Sequence, residues 1–316
     1  MSGAVSTYIW NMTAKRKYCF DGVDHVYQIT ADRGICFYTS ADCLVWFTLM
    51  CVMARRYNIR ILAVCIMLNH CHILLKAPSS YALSSFMRDL TSLFTRMYNK
   101  KYRISGSLVG GQFNNAGKRK DQKIKDIIVY ICNNPVVKHA VPRAEQYRWN
   151  FLAYMQSSNP FSEVIRQESC SEELIRAMAA VRMRRKVGRP VDYHFFSGPY
   201  ARLREKEKRQ IIDYIVSEYN VIEYATIERM WGSYQGLCYT LSSISGSEYD
   251  IKEEYVEEDY RRYYRMIRLA KDAGYDLSRR RLNGLTLDEQ IRLANLFFNE
   301  AGASRTEISK FLHAPY

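Results

Sequence analysis

Two short patterns in this chain combine residue types and spacings that could do chemistry. The first is Asn69-His70-Cys71-His72. On a strand the side-chain period is two, so His70 and His72 project from one face and Cys71 from the other. Two imidazoles roughly 7 Å apart on one face can converge on a single divalent cation. A pair of this kind also occurs as plain hydrogen-bonded polar residues near a strand end. The other four histidines, at 25, 139, 194 and 313, are scattered, so the pair is no by-product of a His-rich composition. The second pattern is Tyr130-Ile131-Cys132-Asn133-Asn134-Pro135. On a helix, positions 130 and 134 share a face one turn apart, which would bring a phenol and a carboxamide oxygen together and leave Asn133 elsewhere. Pro135 works against this geometry, because the residue before a proline is pushed out of the helical region.

The surrounding sequence predicts elements able to carry these groups. Residues 24–38 alternate as a strand, a glycine-containing turn and a return. Asp42 to Tyr57 has helical spacing of apolar residues, and Arg60 to Lys76 is an apolar, β-rich run that reads as one buried strand or two. A second helix is expected over Ala82 to Asn99, then a Gly-rich loop and a polar basic loop from Asn114 to Lys123. A third helix, from about Lys123 to Asn133, should stop at Pro135. Strands alternating with helices in this way predict an α+β sheet with helices on one face. Val181 to Pro190 is basic, ends in Gly-Arg-Pro, and reads first as a linker, with a secondary likeness to minor-groove hook peptides. The expected organisation is a domain over 1–166, a basic linker over 167–192 and a mostly helical extension over 193–316.

A length of 316 residues with 48% apolar content supports a real core and excludes wholesale disorder. The net charge of +14 is unevenly placed. Residues 1–190 hold 28 basic and 12 acidic residues, net +16, and residues 191–316 hold 18 and 20, net −2. The first part is therefore suited to a polyanion. The most apolar stretch, Cys43 to Ala54, is too short to span a bilayer, and no signal-peptide pattern is present, so the expectation is a cytoplasmic chain with no membrane partner. Nine cysteines without a C-x-x-C, mostly inside apolar runs, read as buried thiols in a reducing compartment.

Taken in order, ITADRGICFY, ADCLVWFTLMCVMARRYNIRILAVCIMLNHCHILLKAP, FMRDLTSLFTRMYNKKY, YICNNPV and YRWNFLAY resemble the single-tyrosine HUH transposases with an IS200-like domain. Within these they are most similar to the REP-associated tyrosine transposase branch, over roughly residues 24–155. The His-hydrophobic-His element corresponds to His70-Cys71-His72, and the Tyr-x-x-x-Asn-Pro element to Tyr130 through Pro135. The resemblance implies a ferredoxin-like antiparallel sheet. It also implies Mg²⁺ or Mn²⁺ held by His70 and His72, with Asn134 as the third ligand or positioning group. Tyr130 would attack a phosphorus of single-stranded DNA carrying hairpins or repeats, leaving a 5′-phosphotyrosine and a free 3′-hydroxyl. Beside such a site Lys118, Arg119, Lys120, Lys123 and Lys125 would suit a grip on the DNA backbone. Relatives act as homodimers or as monomers. A contrasting expectation is a domesticated, catalytically inactive DNA- or RNA-binding protein that keeps the fold. Two departures bear on this choice: Leu68 stands where relatives carry a proline, and Gln112 stands before Phe113 where they carry an arginine. Near the end, Leu287 to Glu300 and Arg305 to His313 resemble the first two helices of a helix-turn-helix, whose recognition helix would have to follow Ala314.

Overall fold

A computed structural model describes residues 18–19, 21–111, 113–166, 168, 170–243, 259–277 and 282–314. Gln112 lies outside the described residues. The first part runs β1 (Val23–Ile29), α1 (Ser40–Arg56), β2 (Arg60–Ile66), β3 (His70–Lys76), α2 (Ser80–Tyr102), β4 (Asn114–Lys118) and α3 (Asp121–Val137). The four strands form one antiparallel sheet in the order β2-β3-β1-β4, the arrangement of a ferredoxin-like split β-α-β unit.

The apolar run Arg60 to Lys76 is two strands because Met67, Leu68 and Asn69 turn the chain, with the Met67 N–H donating to the carbonyl of His70 at 2.8 Å. Their Ile, Leu and Val side chains are buried because both faces of the sheet are covered. Helices α1 and α2 pack together on one face, where Thr91 of α2 donates to the Gln28 amide of β1 at 2.8 Å. The tyrosine helix α3 lies over the other face, against β2 and β3. Helix α1 opens with a capping box between Thr39 and Asp42, and the buried Asp42 carboxylate also accepts the hydroxyls of Tyr102 (2.8 Å) and Tyr193 (2.9 Å).

Four expectations are corrected. No return strand follows β1: residues 31–33 form a short 3-10 turn, and the N–H groups of Cys36 and Phe37 both donate to the carbonyl of Leu68. The basic loop expected from Asn114 begins instead as β4, whose weak strand formers pair with β1 at the sheet edge. Helix α3 runs through Pro135 to Val137. The neighbouring Cys132 carbonyl takes a second donor, the Asn150 amide at 3.2 Å, and Asn134 is held in the helix by contacts of its own. The stretch expected as a linker contains α4 (Glu172–Lys186), with Leu174, Ala177 and Val181 buried and the cations on the outer side.

The rest is helical, as expected: α5 (Tyr193–Ser197), α6 (Glu205–Tyr219), α7 (Tyr224–Trp231), α8 (Tyr234–Ser243), α9 (Tyr260–Asp272), α10 (Leu287–Leu296), continued by a π turn over Phe297–Ala301, and α11 (Arg305–Leu312). This part packs directly on the sheet domain. Helix α6 lies against α1 and α4. Ile222 bridges Ile61 on the outer edge of β2, the Glu223 N–H donates to the Ile61 carbonyl (2.9 Å), and Arg60 grips the Glu223 carboxylate through two bonds of 2.6 Å. The outer edge of β2 is thereby covered at its start. Helix α11 backs the segment after β1: Tyr38 donates to the Phe311 carbonyl at 2.6 Å, and the His313 ring contacts the Ile35 carbonyl at 2.6 Å. All nine cysteines are free thiols. Among the described residues no helix is long and apolar enough to cross a membrane.

The contact at α11 leaves no room at Gly34, where a β-carbon would come within 2.4 Å of the His313 ring. Gly34→Ala is expected to lower the unfolding free energy by about 1–3 kcal/mol through overpacking, measured by urea denaturation. In a His313→Ala background the same change should cost clearly less, and an equal cost in both would place the strain elsewhere.

Candidate active site

The pleat of β3 sends His70 and His72 to the α3 side of the sheet, with ring centroids 4.9 Å apart and planes at 87°. Cys71 points to the opposite side and is buried, and burial pushes its thiol well above the usual range, which suits an inert apolar filler. From β1, whose Tyr27 pairs with His72 and whose His25 pairs with Leu74, a third imidazole joins the same face. His25 and His72 stack at 5.3 Å between centroids, with His25 Nε2 3.1 Å from His72 Nδ1.

Helix α3 supplies the other groups. The half-buried Tyr130 ring meets His72 edge-on at 5.5 Å and His25 at 5.9 Å. One turn later Asn134 is buried, with Nδ2 3.3 Å from His72 Nε2. The one-turn relation between Tyr130 and Asn134 holds because Pro135 does not end the helix. Asn133 points away and donates to the Leu241 carbonyl of α8.

Hydrogen-bond chemistry assigns the protons on these rings. Asn69 Nδ2 donates to the Arg33 carbonyl at 3.1 Å, which turns Oδ1 toward His70 Nδ1 (2.7 Å) and the Tyr260 hydroxyl (2.9 Å). An amide oxygen only accepts, so His70 carries its proton on Nδ1 and keeps the Nε2 lone pair. The Asn134 N–H only donates, so His72 Nε2 is likewise a lone pair, and its Nδ1 proton goes to His25 Nε2. Burial holds His72 well below the usual imidazole range, aided by His70, His25 and Lys138, and burial with Lys118 lowers His25 to about 4. Both rings are thus neutral near pH 7, the form in which imidazole binds a metal.

Among the described residues no group of three or more His, Cys, Asp or Glu side chains is arranged to hold a metal ion. The set at this site is different in kind: two neutral imidazoles and an amide. Asn134 Oδ1 is buried with no hydrogen-bond partner, an oxygen donor next to His72 with nothing bound to it. With the Asn134 amide turned over, so that Oδ1 rather than Nδ2 faces His72 Nε2, nitrogen from His70 and His72 and oxygen from Asn134 would suit a divalent cation that completes its shell with phosphate oxygens and water.

The five cations proposed for DNA separate into two groups. Lys118, Arg119 and Lys120 lie at the end of β4 and in the connection to α3, and Lys118 is near enough to His25 to lower its pKa. Lys123 is exposed two turns before Tyr130 on the same face of α3, about 10 Å along the axis. Lys125 faces the extension instead, with its ammonium 5.5 Å from the Trp231 ring of α7. Three participants escape sequence reasoning. His25 is revealed only by the β1–β3 register, Asn69 carried the weak signal of adjacency to His70, and Tyr260, 191 positions from Asn69, had none.

Residues 24–133, a little over a third of the chain, match the family described as transposase IS200 like. A solved structure described as the REP-associated tyrosine transposase bound to a REP hairpin aligns at a TM-score of 0.40 and 16% identity, covering 51% of this chain and 96% of that one. No curated protein matches the chain.

The two buried imidazoles make a pH prediction. An unfolded histidine takes up its proton near the ordinary 6.5, whereas folded His25 does so only near 4 and folded His72 also well below 6.5. Between these values the unfolded state binds more protons, so stability should fall as the pH drops from about 6.5 toward 4, and these groups should add nothing further below both values. For His25 alone the fall is about 3 kcal/mol, and His25→Gln should remove that share when urea denaturation is followed in chelator across the window. A variant with the wild-type pH slope would contradict the buried neutral assignment.

Proposed function

We propose that this protein is a single-tyrosine DNA strand nuclease and transferase, with Tyr130 as nucleophile and hairpin-bearing single-stranded DNA as substrate. The observation that carries the reading is the meeting of Tyr130 and Asn134 with the His70–His72 pair on one sheet face, where His70, His72 and Tyr130 lie inside the region that matches the IS200-like family and Asn134 immediately follows it. His70, His72 and Asn134 would hold a divalent cation, Mg²⁺ or Mn²⁺, which would supply Lewis-acid polarisation of the scissile phosphate.

The chain's own residues do the rest. Tyr130 Oη gives up its proton and bonds to phosphorus, and the bond from phosphorus to the 3′-oxygen breaks. That oxygen leaves as a hydroxyl after taking a proton. The products are a 5′-phosphotyrosine and a 3′-end, and because the phosphodiester energy is kept in the covalent bond the step runs backwards to rejoin strands. Asn69 and His25 act as positioning residues, each fixing the tautomer and plane of one imidazole. Arg119, Lys120 and Lys123 line the approach from the start of α3 and suit a backbone grip that weakens with salt.

Incubation with labelled single-stranded hairpin DNA and Mn²⁺ tests the reading. A denaturation-resistant adduct is expected, and Tyr130→Phe should abolish it without loss of binding. Tight binding with no adduct would sink the enzyme reading in favour of a DNA-binding protein, and preference for matched RNA would favour an RNA-binding one. Tyr260→Phe, which withdraws one donor from Asn69 Oδ1, is expected to cut adduct yield while strand affinity stays within about twofold.

A further inference from the structure

A second cationic site lies on the other side of the molecule. The C-terminal ends of α2 and α4, with the start of α5, border an open cavity of about 570 Å³ on the α1–α2 side of the sheet, opposite the face that carries Tyr130. Lys100 and Lys101 enter it from α2, Arg184 from α4, and Arg189 from the turn that follows. The one carboxylate in the lining, Asp192, is already paired with Arg184 at 2.9 Å. Lys100 and Arg189 have no ion-pair partner among the described residues, and the Lys101 ammonium sits 5.9 Å above the Tyr193 ring. A helix C-terminus favours a cation in its own last turn, which accounts for each lysine separately. It does not account for two such ends facing one concave space, where the gathered positive charge raises the energy until an anion enters.

The walls are built rather than loose. Gly188, at φ +66°, lets α4 end with its N–H on the Arg185 carbonyl (3.0 Å) and the Arg189 N–H on the Arg184 carbonyl (2.9 Å), which folds Arg189 and Pro190 back over the cavity. The Arg189 carbonyl accepts the Tyr219 hydroxyl at 2.6 Å, and the next backbone N–H, that of Val191, is fixed to buried Thr48 at 3.1 Å. The Tyr193 ring is buried and held by its hydroxyl on Asp42. Met97, Pro190 and Tyr193 therefore present a fixed apolar wall beneath a cationic rim.

We propose that this cavity is a second DNA site, taking one nucleotide unit of a single strand, its phosphate against Lys100 and Arg189 and its base against the half-buried Met97 and Pro190. The assignment of DNA as the polyanion rests on the functional reading above. The volume falls within the usual range for small-ligand pockets, which suits one nucleotide unit. A cationic rim above an apolar wall suits a single strand held through its backbone without reading of its sequence.

The test uses the full chain carrying Tyr130→Phe, in chelator, so that neither chemistry nor metal contributes. Fluorescein-labelled oligo(dT) of about 16 nucleotides is the probe, followed by anisotropy over a salt series. The Lys100→Glu/Arg189→Glu variant, changed at two exposed residues, should bind about tenfold more weakly or worse, with the salt slope shallower by about 1.4. Ultraviolet cross-linking of 5-iodouracil-substituted probe should label a peptide containing Tyr193 and His194, and the label should vanish in the variant. Unchanged affinity and slope, or cross-links confined to α3, would overturn the site. Equal or tighter binding of thymidine 5′-monophosphate, or a preference for oligo(U), would overturn the commitment to a DNA strand. Failure here leaves the Tyr130 adduct assay untouched, and loss of that adduct leaves these binding measurements valid.

Discussion

The buried, neutral imidazole of His72 is the contact on which the rest of the site depends. It makes a hydrogen bond at each nitrogen, donating from Nδ1 to His25 of β1 and accepting at Nε2 from Asn134 of α3, and its ring faces Tyr130. A charged ring there is opposed by burial first and then by His70, His25 and Lys138, all of which disfavour a proton on it. Neutrality in turn requires burial, and burial requires α3 to cover this face of the sheet. The chemistry and the packing of α3 are thus one requirement. Whatever seats the helix also fixes the distance between a phenol and a pair of imidazole lone pairs.

That coupling explains why so much of the chain after residue 190 is folded against the site. The first residue of α9, Tyr260, donates its backbone N–H to the Lys138 carbonyl just beyond α3 and its hydroxyl to Asn69 just before His70. One residue therefore clips the tyrosine helix to the turn that carries the histidines. Helix α11 presses on the segment 34–38, which in turn hydrogen-bonds to Leu68 in that same turn. The extension reads in sequence as an appendage without chemistry, and in space it buttresses the turn that carries the histidines.

The parts of this arrangement that are legible in the sequence are those set by local periodicity. The pleat puts His70 and His72 on one face wherever a strand forms, and helical spacing puts Asn134 one turn after Tyr130. What local reasoning gets wrong at Pro135 is the balance of forces: a proline disfavours helix at the preceding residue, but Asn134 is fixed by His72 and the Cys132 carbonyl gains the Asn150 amide, so tertiary contacts prevail. The edge strand Asn114–Lys118 is invisible for a related reason, since its pairing with β1 owes nothing to strand propensity. His25 joins the site only through cross-strand register, a long-range relation that no single-chain pattern contains. In α4 a run of basic residues hides an apolar stripe, Leu174, Ala177 and Val181, spaced for a helix that packs on α6.

The uneven charge of the chain also acquires a spatial meaning. Carboxylates of the acidic extension are used to neutralise particular cations: Glu223 pairs with Arg60, Asp213 with Arg148 and Glu307 with Arg262. Asp213 is buried and also accepts the Tyr154 and Ser162 hydroxyls, so its pairing belongs to the core rather than to a screened surface. None of these carboxylates reaches the β4–α3 connection, where Arg119, Lys120 and Lys123 have no ion-pair partner among the described residues. The extension therefore removes positive charge where helices must pack and leaves it at the β4–α3 connection and at the Lys100–Arg189 cavity. A uniformly basic surface would attract a polyanion everywhere; a surface neutralised selectively directs it, since the field is strongest where the counter-charges are missing.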